Sequence, residues 1–362
     1  MTSEWPANVR RVRELVLEHG WNATSYQVVN PGISHWFSAA EDAVVGYVEY
    51  AGIRVVAGAP VCAPDQLQRT VLEFETDSRR GRAGVCYFGA ESRLENLLAN
   101  SSGHAGVVLG AQPSWHPADW SEILANHSSL RAQLNRASNK GVMVEEYSST
   151  EARSEPELED VLARWLKGRG LPPLHFLVEP KTLDRLVDRR IFVARQTQPE
   201  GAARIVAFAI LSPIPARNGW LVEQFPRLPD APNGTIELLL ASAVNAIAAS
   251  GSDYVTLGLA PLARRRDFSP GSDPAWLRAA LGFAGVHGSR FYNFRGLEAF
   301  KEKFRPRVWE PIYAIQSEPR FSPRALYAIA GAFASRSPIS LAAGVLAGAV
   351  VQEVRWLSGR KH

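Results

Sequence analysis

Apolar positions along the chain alternate between two spacings, and the alternation occurs twice. In the first half, residues 43–50 and 53–57 read as two strands, followed by a turn at Gly58-Ala59-Pro60. Leu67, Val71 and Phe74 then fall on one face of a helix expected between Asp65 and Arg80. Residues 84–88 and 106–110 read as further strands, and the basic, polar segment 128–141 as a helix closing this half. The second half opens on Ser154-Glu155-Pro156-Glu157, a capping-box pattern in which Ser154 caps and Glu157 reaches back. Leu158, Val161, Leu162, Trp165 and Leu166 follow as a helical stripe. Strands are expected at 191–195, 205–211 and 220–225. A loop containing Pro226, Pro229, Pro232, Asn233 and Gly234 leads into a helix over 235–250, with Gly251 as its stop. Residues 254–259 read as a buried strand.

Strands joined by helices in both halves predict an α/β fold, a central sheet covered by helices and built as two related units. The expected divisions are residues 1–145, 146–316 and a tail, 317–362. The tail carries two apolar stretches, 325–334 and 339–351, and ends in Arg355, Trp356, Arg360 and Lys361. The second stretch is too short to span a bilayer. It either lies in an anionic membrane surface or uses its small residues to pack against protein.

Composition narrows the function. The chain has 362 residues and an apolar fraction of 46%, enough for more than one core. Its formal charge of +4 suits a nucleic acid or an anionic lipid surface, and equally an ordinary solvated surface. Only Cys62 and Cys86 are present, so neither a disulfide framework nor a four-thiolate metal site is expected; both thiols sit in apolar runs and read as buried. Residues 1–13 show no signal-peptide pattern and no apolar run is long enough for a membrane span, so the expected location is the cytoplasm. No zincin, serine-hydrolase or Walker motif occurs, and no metal or cofactor is expected. That profile fits a transferase using an already activated donor, and also a binding module.

Three segments carry a resemblance. They are Leu130-Arg131-Ala132-Gln133-Leu134-Asn135-Arg136 with Lys140-Gly141, then Leu257-Gly258-Leu259-Ala260-Pro261-Leu262, then Tyr292-Asn293-Phe294-Arg295-Gly296-Leu297 continuing through Phe300-Lys301-Glu302-Lys303-Phe304-Arg305-Pro306 to Trp309-Glu310-Pro311. In this order they resemble the C-terminal catalytic domain of phosphatidylglycerol lysyltransferases, without that family's membrane-embedded flippase portion. Gly58-Ala59-Pro60 resembles the family's Gly-Asp-Pro turn, with Ala59 in place of the acid.

The resemblance implies two tandem GNAT-like (acetyltransferase-like) modules, each a mixed central sheet flanked by helices and similar to Fem-type aminoacyltransferases. It implies an aminoacyl-tRNA donor and transfer to a hydroxyl of an anionic phospholipid headgroup, with peripheral contact at the inner face of the cell membrane. A soluble small-molecule acceptor is the alternative. A coenzyme A donor is disfavoured, because the corresponding loop, Asp230-Ala231-Pro232-Asn233-Gly234-Thr235, has one glycine and a proline with no N–H for a phosphate. A non-catalytic RNA- or membrane-binding module also stays open.

Within that framework Glu237, Lys301 and Arg295 are the candidate catalytic residues. Arg131, Asn135, Arg136, Asn293 and Lys303 are candidates for substrate binding, and Arg264, Arg265 and Arg266 for the tRNA backbone. Each has a plainer reading: Glu237 as a helix-start carboxylate favoured by the dipole, the basic residues as a solvated face.

Overall fold

The computed structural model describes residues 6–99, 101–168, 174–197, 201–263 and 294–334. Among these residues, one sheet of twelve strands forms. The first half contributes α1 (Ala7–His19), β1 (Ser34–Phe37), β2 (Val44–Tyr50), β3 (Ile53–Ala57), α2 (Leu67–Arg80), β4 (Gly84–Ala90), α3 (Ser92–Leu98) and β5 (Ala105–Trp115). Next come α4 (Trp120–Asn126), α5 (Ser128–Ser138), β6 (Val142–Tyr147), α6 (Ser149–Ser154) and α7 (Pro156–Lys167). The chain continues with β7 (Arg190–Thr197), β8 (Ala203–Ile214), β9 (Gly219–Gln224), α8 (Thr235–Ala249), β10 (Tyr254–Thr256) and β11 (Ala260–Pro261). It closes with α9 (Phe294–Glu302), β12 (Val308–Gln316) and α10 (Pro323–Ala334).

The strand order is β1-β2-β3-β4-β12-β5-β10-β9-β8-β7-β6, with β11 pairing β5 off this path. Every neighbouring pair is antiparallel except two, β3 with β4 and β9 with β10. In each half, then, antiparallel strands end in one parallel step, and a helix makes the crossover: α2 in the first, α8 in the second. The two halves mirror each other about β12 and β5. The expected pair of α/β units is this arrangement.

The cores follow the sequence pattern. On one face of the first half-sheet α2 buries Leu67, Val71 and Phe74 against Val85 and Tyr87. On the other face α1 buries Val12, Leu15 and Val16, and α10 buries Ala325, Ala328, Ile329 and Ala332. β8 is buried almost throughout, as a strand covered on both faces must be. α8 is apolar nearly all round and lies inside the second core, with Ile236, Leu239, Leu240, Val244 and Ile247 among its buried residues. It begins at Gly234, whose φ is +94°, and a Cβ there would stand 2.0 Å from the Gln133 carbonyl oxygen. Only glycine lets the start of α8 touch the backbone of α5.

Several expectations need correction. The capping box belongs to Ser148 and Glu151, which open α6. Ser154 instead ends α6 and donates to the Glu151 carbonyl, while Glu155 caps α7 and Glu157 accepts from the Ile205 amide. Two short helices abut here, and the pattern fits either start. The strand expected at 254–259 stops at Thr256. The apolar stretch 325–334 is α10, packed on the first half-sheet; its partner, 339–351, lies outside the described residues. Cys62 and Cys86 are buried free thiols, and burial pushes Cys86 up to about 12. Among the described residues no helix is long and apolar enough to cross a membrane, and no group of His, Cys, Asp and Glu is placed to hold a metal ion.

Candidate active site

β9 and β10 run together only briefly, from Gly219 opposite Tyr254 to Leu221 opposite Thr256. Beyond that point the strands part. The backbone from Leu257 crosses to β11 beside β5, turning at Gly258 with φ +70°. Its carbonyls have lost the sheet partner they would have had, and a buried polar group needs a replacement.

Lys301 supplies it. The side chain comes off the last turn of α9, is 2% exposed, and its Nζ donates to the carbonyl oxygens of Gly258 at 2.7 Å and Leu259 at 2.9 Å. Among the described residues no carboxylate pairs with it. Burial therefore disfavours the charged form and lowers the ammonium's pKa to about 7. An amine poised to gain or lose a proton near neutrality thus sits at the open end of a parallel strand pair, a common ligand position in α/β sheets.

Lys303, two residues on, points elsewhere. Its Nζ lies 3.5 Å from Glu237 Oε1 and 5.7 Å from the centre of the Phe300 ring. Phe300 stacks on Phe225 at the end of β9 and meets Phe304 edge-on, and Phe304 stacks on Trp120. This aromatic row fixes the end of α9 against the second core, and so fixes where both lysines reach. Glu237 is 8% exposed in the first turn of α8. Sequence reasoning placed Glu237, Lys301 and Lys303 in one site, and the fold brings them to the same end of the second half-sheet.

The other candidates separate. Arg131 donates to the carbonyls of Leu124 and Ala125, so it caps the C-terminus of α4. Asn135 and Arg136 are exposed on α5, and Arg136 reaches Gln133 Oε1 at 3.4 Å. Arg295 lies on α9. Asn293, Arg264, Arg265 and Arg266 lie outside the described residues.

A second cluster was not read from the sequence. Arg217, after β8, donates to both carboxylate oxygens of Glu310 on β12 and to Glu91 Oε2 at the end of β4. Tyr254 Oη donates to Glu310 at 2.7 Å, Gln112 Nε2 to Glu310 at 2.9 Å, and the Ala23 amide to Glu91. The guanidinium lies 3.5 Å from the centre of the Tyr254 ring. Burial pushes Glu91 up to about 7 despite Arg217, whereas the hydrogen bonds and charge of Arg217 outweigh burial at Glu310 and hold it below the usual carboxylate value. Glu310 stood in the Trp309-Glu310-Pro311 motif with no role assigned. Glu91 and Arg217 are 126 positions apart and carry no local signature.

Two half-sheets, each with one parallel step and a helix crossover, fused through shared central strands, define a tandem GNAT-like architecture. Solved structures agree. The C-terminal domain of a putative lysylphosphatidylglycerol synthetase from Agrobacterium fabrum superposes with a TM-score of 0.75 at 22% identity, covering 90% of this chain and 96% of that one. L-PGS from Bacillus licheniformis gives 0.71 at 21% identity, covering 95% and 96%, and FemX gives 0.57 at 8% identity, covering 90% and 98%.

Residues 13–316 match the family described as phosphatidylglycerol lysyltransferase, C-terminal, and the chain belongs to that family. The phosphatidylglycerol lysyltransferase of Bacillus subtilis is 26% identical over 314 residues, which are 85% of this chain and 35% of that protein. An uncharacterized protein of Corynebacterium glutamicum is 22% identical over 291 residues, 78% of this chain and 36% of that one. The chain thus spans about a third of the length of the curated relatives it matches.

Proposed function

We propose that the chain transfers an aminoacyl group from aminoacyl-tRNA to a hydroxyl of an anionic, phosphatidylglycerol-like headgroup. Membership of the phosphatidylglycerol lysyltransferase C-terminal family carries this reading. The chemistry at the parted strands is compatible with it. The donor ester is already activated, so the enzyme has to orient the acceptor, move one proton and stabilise an oxyanion. In this reading Glu237 orients the acceptor hydroxyl or the donor's α-ammonium, and Lys303 beside it holds a phosphate or the oxyanion. Lys301 holds the Gly258–Leu259 backbone that forms the floor of the site, and its near-neutral amine is suited to proton movement. Arg295, Asn135, Arg136, Asn293 and Arg264 to Arg266 are proposed to meet the tRNA or lipid phosphates, through the salt-sensitive charge contacts that phosphates favour. Contact with the membrane surface would be peripheral.

The test is transfer of radiolabel. Protein is mixed with total tRNA charged with each amino acid in turn and with phosphatidylglycerol vesicles, and organic and aqueous phases are counted. The proposal expects label in the organic phase for a particular amino acid, abolished by RNase treatment of the donor. Label appearing solely in an aqueous product would transfer the reading to a soluble acceptor. Absence of any RNase-sensitive transfer would overturn the aminoacyl-tRNA donor.

A further inference from the structure

The first half-sheet has its own parallel pair, β3 and β4. The last rung there is the Gly58 amide donating to the Phe88 carbonyl at 2.8 Å. Just beyond it lies a recess, in the place that corresponds by topology to the Lys301 loop of the second half. Its walls are the turn Ala59-Pro60-Val61, Trp21 and Asn22 after α1, and Arg93 with Leu94 on α3.

Buried polar atoms face this region without partners. Ser25 lines the recess and is 2% exposed, and among the described residues its hydroxyl makes no hydrogen bond and the buried Arg93 Nη2 has no acceptor. Two groups able to donate but left unused are costly in an interior unless something accepts from them. Outside, the Trp21 ring is flanked by two guanidinium groups, Arg93 at 5.5 Å and Arg217 at 5.3 Å from its centre, and remains 36% exposed. The turn has Ala59 where the family resemblance expects an acid, so the turn itself brings no carboxylate to the mouth.

We propose that this recess is an oxyanion-binding site, taking one oxygen of a phosphate ester. The cavity is small, about 10 Å³, room for a single water-sized atom group. One anionic oxygen enters to accept from Arg93 and Ser25. The rest of the ligand lies outside along the flat Trp21 ring, and the Arg93 guanidinium, 5.5 Å from the ring centre, supplies the positive charge. A phospholipid headgroup and a free phosphate metabolite share this chemistry. The site is defined without the transfer reaction and stands whether or not transfer is seen.

Titration calorimetry of the whole protein, with no tRNA present, tests it using sn-glycerol 1-phosphate, inorganic phosphate and vesicles of phosphatidylglycerol against phosphatidylcholine. Saturable binding is expected, weakened about tenfold or more by Arg93→Met and by Ala59→Asp, which places a carboxylate at the mouth. Circular dichroism confirms that both variants fold, and Ser25→Ala, a smaller change, is expected to weaken binding less. Preference for glycerol phosphate and phosphatidylglycerol vesicles identifies a headgroup; equal binding of inorganic phosphate identifies a free anion, and either supports the site. No oxyanion binding, or binding untouched by Ala59→Asp in a folded protein, overturns it.

Discussion

Two of the molecule's buried charges are treated in opposite ways. At the junction of the half-sheets, Arg217 meets two carboxylates, Glu91 and Glu310, drawn from distant segments. At the open end of the second half-sheet, Lys301 meets, among the described residues, backbone carbonyls and no carboxylate. The Arg217–Glu310 charge pair is fixed, since removing either partner strands the other. A charge held by dipoles alone can leave as a proton, because the neutral amine still donates to the same carbonyls. The first arrangement suits a joint that must not open. The second suits a group that changes state during work.

The contrast can be broken most forcefully at Arg217. Arg217→Ala leaves two buried carboxylates uncompensated and is expected to cost about 3–5 kcal/mol of stability, read from chemical denaturation. A loss under about 1 kcal/mol would mean that the cluster is not a structural joint. Lys301→Met should act chiefly on activity. With the Gly258 and Leu259 carbonyls left without their donor, transfer is expected to fall about 100-fold while stability drops by only about 1–3 kcal/mol. Equal damage to stability and activity would erase the distinction between the two sites.

Their pH behaviour separates them further. Folded Glu91 keeps its proton to about 7, whereas an ordinary glutamate loses it near 4.5, so its contribution to stability declines as pH rises across that window. Lys301 works the other way: the folded protein releases the proton near 7 and an unfolded chain holds it to about 10.5, so stability recovers as pH rises from 7 upward. These two groups together predict a stability minimum near neutral pH, with limbs no steeper than about 1.4 kcal/mol per pH unit. In melts taken across pH, Glu91→Gln should flatten the acidic limb and Lys301→Met the alkaline one. The smallest effect is expected at Lys303, on the same helix end but with its side chain 55% exposed. Lys303→Ala should change stability by about 0–1 kcal/mol. A larger loss by denaturation would show that its pair with Glu237 is not screened by solvent.

Local order was legible where it repeats within a few residues. The stripes of α7 and α8 and the strand runs at β2, β3 and β8 follow from their spacing, because each residue's neighbour is close in sequence. The motif around Phe300-Lys301-Glu302-Lys303-Phe304 drew attention to a segment that does end in a buried lysine. What it did not disclose is that Lys301 holds carbonyls 42 and 43 positions away, a relation fixed by the parting of β9 and β10. Arg217 was invisible for a similar reason, since nothing near it in sequence marks an arginine destined for burial. Ser154 was misread because the preceding Ser148-Ser149-Thr150-Glu151 supplies the same capping chemistry one helix earlier. Helix α1 was not read at all, and its buried face is only three residues, Val12, Leu15 and Val16.

β12 carries a consequence for how the chain is made. It lies between β4 and β5, pairing Tyr313 with Ala90 on one side and with Val108 on the other. While the polypeptide grows from its N-terminus, those two strands emerge early and have no common neighbour until residues beyond 308 have been synthesised. The first half must therefore wait, with two strand edges unpaired, for almost the whole of the described chain to be translated. A helper that shields those edges at the ribosome, or a pause in translation that shortens the wait, would act on this protein's yield without touching its finished form.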